Sequence, residues 1–337
     1  MMTNKLDKTT IDEIKREYQS SDCPWFIGYS GGKDSSALLS LVFMTLSKLR
    51  KCNKPVVIVY SDTGVEIPVV KSFTKNVLRN LVAEAKLYNI PITTKIVRPK
   101  IDDTFFVKII GRGYPPPTNK FRWCTDRLRI NPLQKFMANI EDDEKIVLLG
   151  TRRGESPERD KILSCCQAEK KKFYYQVGHT KTKIYAPIVN YSCKDIWNTL
   201  CSKDLPKSLD TNKLLSLYKS ATNGDLTELI NNRHTGRFGC WTCTVIRKDR
   251  AVTNMSNDGF PELAPLLDFR NWLSLIRDNT NFRAKQRRNG QKGLGPFTLK
   301  ARKNILKELF KVESQTKWQL ITKKETEKIY SLWEEDK

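Results

Sequence analysis

The sequence predicts an α/β fold, a parallel sheet with helices on both faces, followed by a mainly helical C-terminal region. Three observations predict it. Short apolar runs recur as strands at 25–29, 55–60, 92–97 and 146–149. Helix-spaced segments separate the first three, and strand–helix–strand alternation requires parallel crossovers. Beyond about residue 200 the strand signal gives way to apolar clusters such as Leu214, Leu215, Leu217 and Tyr218. The expected division is therefore an α/β domain over 1–200 and a helical, basic region over 201–337.

Each element has its own warrant. Residues 1–20 read as a helix because Ile11, Ile14 and Tyr18 share one face. The strand at 25–29 ends on Gly31-Gly32, which turns the chain. A helix follows, carried by Leu38, Leu39, Val42, Met44, Leu46 and Leu49. The run PVVIVY at 55–60 is apolar without alternation, as in a strand buried on both faces. Residues 66–88 read as a helix. The stretch GRGYPPP at 111–117 holds too much Gly and Pro for a helix.

Composition narrows the class. With 39% hydrophobic residues in 337, a core can form, and disorder is not expected. The longest nearly apolar stretch, 37–46, is half a membrane span, so no membrane partner is expected. The N-terminus lacks an apolar signal segment, and the expected compartment is the cytoplasm. Nine cysteines in that compartment do not imply a disulfide framework. The formal charge of +23 points to a polyanion, with DNA or RNA the leading partner.

The segment Ser30, Gly31, Gly32, Lys33, Asp34 and Ser35 stands where a buried strand meets a helix. A helix N-terminus offers unpaired N–H groups to an anion. Two glycines let the backbone close around it, the serines add hydroxyls and Lys33 adds a charge. Asp34 suits a Mg²⁺ bridging phosphate oxygens. The Walker pattern G-x-x-x-x-G-K-[ST] is absent. Two later strand ends carry further candidates, where ligands collect in open α/β sheets. Asp62 suits adenosine or metal binding. Arg152 or Arg153 suits a phosphoryl group, and Arg152 joins Lys33 and Asp34 as the catalytic set.

SGGKDS, SDTGVEIP and GTRRGESPER together resemble the adenine-nucleotide alpha-hydrolase group that includes the PAPS reductases, whose sheet is of the PP-loop, HUP-like type. FRWCTDRLRINPL resembles that group's cysteine-bearing segment. Residues 110–115, 120–124, 237–243 and 295–299 resemble the DndC family more closely. That family is the ATP-pyrophosphatase and iron–sulfur component of bacterial DNA phosphorothioate modification. The resemblance implies ATP consumption, activation of a DNA backbone phosphate and sulfur insertion. It also implies a cysteine desulfurase and other phosphorothioation subunits as partners. PAPS reduction and RNA thiolation are the alternative enzyme readings. Reduction of PAPS needs a cysteine near the C-terminus, and the last one here is Cys243. A zinc-stabilised nucleic-acid-binding module is the non-catalytic alternative.

Cys240 and Cys243 form a C-x-x-C, a spacing that sets two thiolates on one metal or cluster. Cys124 stands at the family's ligand position, so the resemblance implies an iron–sulfur cluster, of the 4Fe-4S kind, on these three. Trp123 occupies the place of a second adjacent cysteine. Either Cys165 or Cys166 then supplies a fourth thiolate, or the cluster has three protein ligands. A zinc half-site or redox pair is the alternative for the C-x-x-C.

Residues 281–310 hold nine Lys and Arg against Glu308 alone. Arg287, Arg288 and Lys292, in a glycine-rich loop, and Arg122 are the expected nucleic-acid contacts. Tyr114, Phe121 and Trp123 beside Arg122 suit base stacking or ordinary core packing.

Overall fold

The computed structural model describes residues 5–140, 144–155, 157–165, 172–176, 179–224 and 238–336. The chain divides into two compact units that do not follow chain order. One comprises 1–60, 69–96 and 140–237, the other 61–68, 97–139 and 238–337.

The first unit carries a six-stranded sheet of order β3-β2-β1-β4-β6-β5. Its strands are β1 Trp25–Gly28, β2 Val56–Ser61, β3 Ile92–Val97, β4 Lys145–Leu149, β5 Phe173–Gln176 and β6 His179–Tyr185. β1 pairs in parallel with β2 and β4, and β4 with β6, while β5 runs antiparallel to β6. The sheet is thus mostly parallel, as expected, with β5 and β6 added. In HTKTKIY, polar Lys and Thr interrupt the apolar character that marks the other strands in the sequence.

Helices α1 Lys5–Gln19, α2 Lys33–Leu46 and α3 Pro68–Leu87 precede β4 in sequence. α2 is buried from Ser35 to Leu46, which explains its apolar character all round. α3 is amphipathic, burying Val70, Phe73, Thr74, Val77, Leu78, Leu81 and Ala85 at helical spacing. Ser192 and Asp195 form a capping box at a later helix, Cys193–Leu200. The helix Thr211–Thr222 begins at the Asp210 cap and ends on left-handed Asn223.

The second unit is helical and irregular. A one-turn helix, α4 Trp123–Thr125, runs through a π-turn at 126–130 into α5 Asn131–Ala138. After the helices α6 Pro157–Cys165, α7 Cys193–Leu200 and α8 Thr211–Thr222 of the first unit come α9 Arg250–Asn257, α10 Ala264–Arg277, α11 Leu299–Thr316 and α12 Lys323–Glu335. A second π-turn at 107–111 exposes carbonyls that other groups must satisfy. Trp333 Nε1 donates to the Ile110 oxygen at 2.9 Å, and Arg302 donates to that of Gly111. Among the described residues, no helix is long and apolar enough to cross a membrane.

Candidate active site

β1 has β2 on one side and β4 on the other, so the chain reverses its winding at β1 and β4. Ligands of open α/β sheets bind at such a switch point, outside the carboxyl ends of the strands. The loop after β1 and the loop after β4 both emerge there.

Gly31 is left-handed, at φ 75°. Gly32 is the N-cap of α2 and provides no side-chain cap. Ser35 Oγ instead ties the loop, accepting from the Ser30 N–H at 3.2 Å and lying 3.0 Å from Ser30 Oγ. Gly150, after β4, lies flat against the first turn of α2. A Cβ there would sit 2.8 Å from the Asp34 carbonyl oxygen.

The charged groups converge on Asp34. Lys33 Nζ donates to one carboxylate oxygen at 2.7 Å and Arg152 Nε to the other at 2.5 Å. Arg152 is buried and also donates to the Tyr191 carbonyl at 3.2 Å. Arg153 is exposed, which separates the two adjacent arginines. The sequence suggests Asp34 as a Mg²⁺ ligand; here both of its oxygens hold cations. Tyr218 of α8 also belongs to the loop. Its hydroxyl accepts from the Lys33 N–H at 3.0 Å, and Lys33 Nζ stands 5.9 Å from its ring centre. The hydroxyl thus occupies one amide of the first turn.

Asp62 belongs to the second unit. It is buried, receives Arg98 Nε at 3.1 Å and the Gly64 N–H at 3.2 Å.

The second unit also brings the three predicted cysteines into one neighbourhood. The Cys243 N–H donates to the Cys240 carbonyl at 3.0 Å, closing a turn. Burial pushes the Cys240 thiol up to about 11; nearby Arg129 opposes this, while Glu66, Cys243 and Cys124 add to it. Burial likewise raises Cys124, with Cys243 next in effect. Arg129 Nη2 lies 3.8 Å from Cys240 Sγ. Trp241 is fully buried between Phe106 and Phe269, and Arg270 donates to the Cys243 carbonyl at 2.8 Å.

Glu66 pairs with Cys240 across an isolated bridge, and one of its carboxylate oxygens is buried with no hydrogen-bond partner among the described residues. The donor set suits a cation or cluster in kind, three thiols and an orphaned carboxylate oxygen. Among the described residues, however, no three such side chains are arranged to hold a metal ion. Cys165 is exposed and lies in the first unit; Cys166 falls outside the described residues.

The expected nucleic-acid contacts Arg122, Arg287, Arg288 and Lys292 are all exposed. Arg288 packs over the Tyr114 ring at 5.2 Å and donates to the Arg112 carbonyl. Arg283 and Arg302, counted with the basic stretch, are buried. Arg283 holds its own loop by donating to the Gly295 carbonyl at 2.5 Å.

The phosphoadenosine phosphosulfate reductase domain matches this chain over residues 24–246. An uncharacterised protein of Methanocaldococcus jannaschii is 25% identical over 275 residues, covering 82% of this chain and 46% of that protein. The chain thus spans about half the length of that curated relative. Among solved structures, the PAPS reductase of Candida auris in its phosphate complex aligns with a TM-score of 0.37 and 12% identity, over 61% of this chain and 90% of that one. The U34-tRNA thiolase of Methanococcus maripaludis, with its 4Fe-4S cluster, gives 0.35 and 12%, over 67% and 79%.

Proposed function

Because the chain belongs to the phosphoadenosine phosphosulfate reductase domain family, we propose that it is an ATP-pyrophosphatase that activates a DNA backbone phosphate for sulfur insertion. The observation that carries the reading is the first turn of α2, opened by Gly31, with no side-chain cap from its N-cap residue Gly32, and flanked by Lys33 and Arg152.

The amides of that turn other than the Lys33 N–H, which Tyr218 holds, bind the polyphosphate of ATP together with the two cations. Asp34 holds Lys33 and Arg152, and a Mg²⁺ bound with the nucleotide would supply further neutralisation of the phosphate charge. A non-bridging DNA oxygen attacks the α-phosphorus, and the bond to pyrophosphate breaks. Lys33 and Arg152 stabilise the charge that develops on the leaving oxygens. Asp34 keeps both cations in place for that step. A sulfide equivalent then attacks the adenylylated DNA phosphorus, and AMP leaves with the bonding pair. A P–S bond replaces a P–O bond, with no net oxidation. A cysteine desulfurase supplies the sulfur as a persulfide, a thiol reductant cleaves that persulfide to the sulfide used here and is itself oxidised to a disulfide, and other phosphorothioation subunits supply sequence choice. An iron–sulfur cluster bound by Cys124, Cys240 and Cys243 would provide a sulfide carrier.

The test is pyrophosphate and AMP release from ATP by anaerobically purified protein, with and without DNA. Equal amounts of the two are expected. Lys33→Ala and Asp34→Ala should each lower the rate by about 10²–10³, the usual loss for one preorganised electrostatic group. Release of ADP and phosphate instead, or full activity in Lys33→Ala, refutes the reading. Sulfite release from PAPS with a thiol reductant would favour the reductase alternative.

A further inference from the structure

The second unit holds an open cavity of about 580 Å³ lined by Tyr114, Lys120, Phe121, Arg122, Trp123 and Arg127, with Thr125 and Asp126. That volume is in the range of small-ligand sites, roughly 300–1,000 Å³. Its wall is the one-turn helix that carries Cys124. The proposed chemistry at the phosphate leaves this cavity unused.

Its lining combines two chemistries. Phe121 is 46% exposed. Its ring lies within 18° of parallel to that of Tyr114, with centroids 6.5 Å apart. Tyr114 is braced in turn: its ring meets Trp123 edge-on at 5.7 Å, and Arg288 covers it. Trp123 donates its indole N–H to the Pro115 carbonyl at 3.0 Å, which fixes the segment. Phe121 is therefore a ring held by a rigid partner and presented to solvent. Around it stand Lys120 and Arg122, both exposed. Arg127 leans on Asp103 at 3.6 Å. Among the described residues neither Lys120 nor Arg122 forms a carboxylate ion pair, although Asp126 also lines the cavity; an aromatic face beside cations is the pairing that binds a base and its flanking phosphates.

We propose that this cavity takes an unpaired nucleotide of a DNA strand, its base stacked on Phe121 and its neighbouring phosphates on Lys120 and Arg122. A paired base presents no open face, so the inference adds single-strand recognition to the proposed function, on which it rests for the choice of DNA. Phe121 is then a specificity-determining residue, and the strand is held beside Cys124.

The test uses the full chain and a short oligodeoxynucleotide carrying one 2-aminopurine, read by fluorescence quenching and anisotropy. Phe121→Ala should weaken binding by about 5- to 150-fold, the range one stacked base supplies, and abolish the quenching. Phe121→Trp should restore both. Arg122→Ala should make the slope of log affinity against log salt shallower by about 0.7, the effect of one phosphate on a single strand. Four results overturn the inference: Phe121→Ala binding like wild type, duplex binding as tightly as single strand, RNA binding more tightly than DNA, or displacement of the strand by equimolar AMP. Should wild-type protein release no pyrophosphate yet bind the strand through Phe121, the proposed function fails and this inference stands. Should it release pyrophosphate while Phe121→Ala binds normally, only this inference fails.

Discussion

Gly31→Ala tests the phosphate loop at its tightest point. Gly31 is left-handed, and a residue with a Cβ pays about 1–2 kcal/mol for that conformation. A Cβ there would also lie 2.0 Å from Thr74 Oγ1. Thr74 is buried in α3 and donates its hydroxyl to the Val70 carbonyl at 2.8 Å, so it cannot move aside without losing that bond. Overpacking of this kind costs about 1–3 kcal/mol. The sum is about 2–5 kcal/mol, a large share of a domain's stability. Urea denaturation of Gly31→Ala, Thr74→Ala and the double variant separates the two contributions. Thr74→Ala removes the hydroxyl and leaves its Cβ 3.1 Å from the new one. Against Thr74→Ala, the double variant should then lose mainly the backbone cost of about 1–2 kcal/mol. A coupling of about 1–3 kcal/mol between the two sites is expected. Pyrophosphate release should fall in Gly31→Ala and recover in part in the double variant. A Gly31→Ala protein as stable and as active as wild type refutes the packing argument.

Two further predictions concern buried cations. Lys54 is buried beside the Tyr18 and Trp25 rings, and burial lowers its amine to about 8. Between pH 8 and its unfolded value, 10.5, the folded chain binds fewer protons than the unfolded one. Stability should rise with pH across that window, and its contribution is lost as pH falls through 8; Lys54→Met should flatten the profile measured by urea titration, and an unchanged slope refutes the assignment. Arg270 is 2% exposed and donates to the carbonyls of Cys243, Ile246 and Arg247. Arg270→Met should strand these carbonyls at about 1–3 kcal/mol each and speed maleimide labelling of Cys240 and Cys243; unchanged labelling would show that Arg270 does not position them.

The legible parts of the chain are those where one physical signal dominates. PVVIVY reads as a strand buried on both faces, and β2 occupies it. The periodic apolar residues of α2 and α3 likewise locate two helices within a few positions. The phosphate loop is legible because its residues are contiguous. Its partners are not. Tyr218 reaches Lys33 from 185 residues away, and as a tyrosine in an apolar helical cluster it carries no sign of that role. Burial and the contacts with Asp34 and the Tyr191 carbonyl distinguish Arg152 from Arg153, and the two are identical side chains in sequence. Glu66 is hidden within SDTGVEIP, because its relation to Cys240 depends on a bridge between segments far apart in the chain. Only family resemblance joins Cys124 to the C-x-x-C, since spacing cannot connect residues so distant.

The net charge of +23 counts many cations that work inside the protein. Lys33, Lys54, Lys108, Arg152, Arg270, Arg283 and Arg302 are all buried. The irregular backbone of the second unit explains the last three. Turns and π-segments leave carbonyls without ladder or helix partners, and arginine, with five donors on one planar group, can satisfy several at once. Arg270, Arg283 and Arg302 each donate to a backbone carbonyl. Such residues contribute nothing to a phosphate footprint, although they inflate the charge from which the sequence predicts a polyanion partner. Exposed cations near the aromatic cavity and the glycine loop include Lys120, Arg122, Arg287, Arg288 and Lys292. The salt dependence of DNA binding should accordingly reflect a few phosphates, with affinity depending as much on Phe121 as on charge.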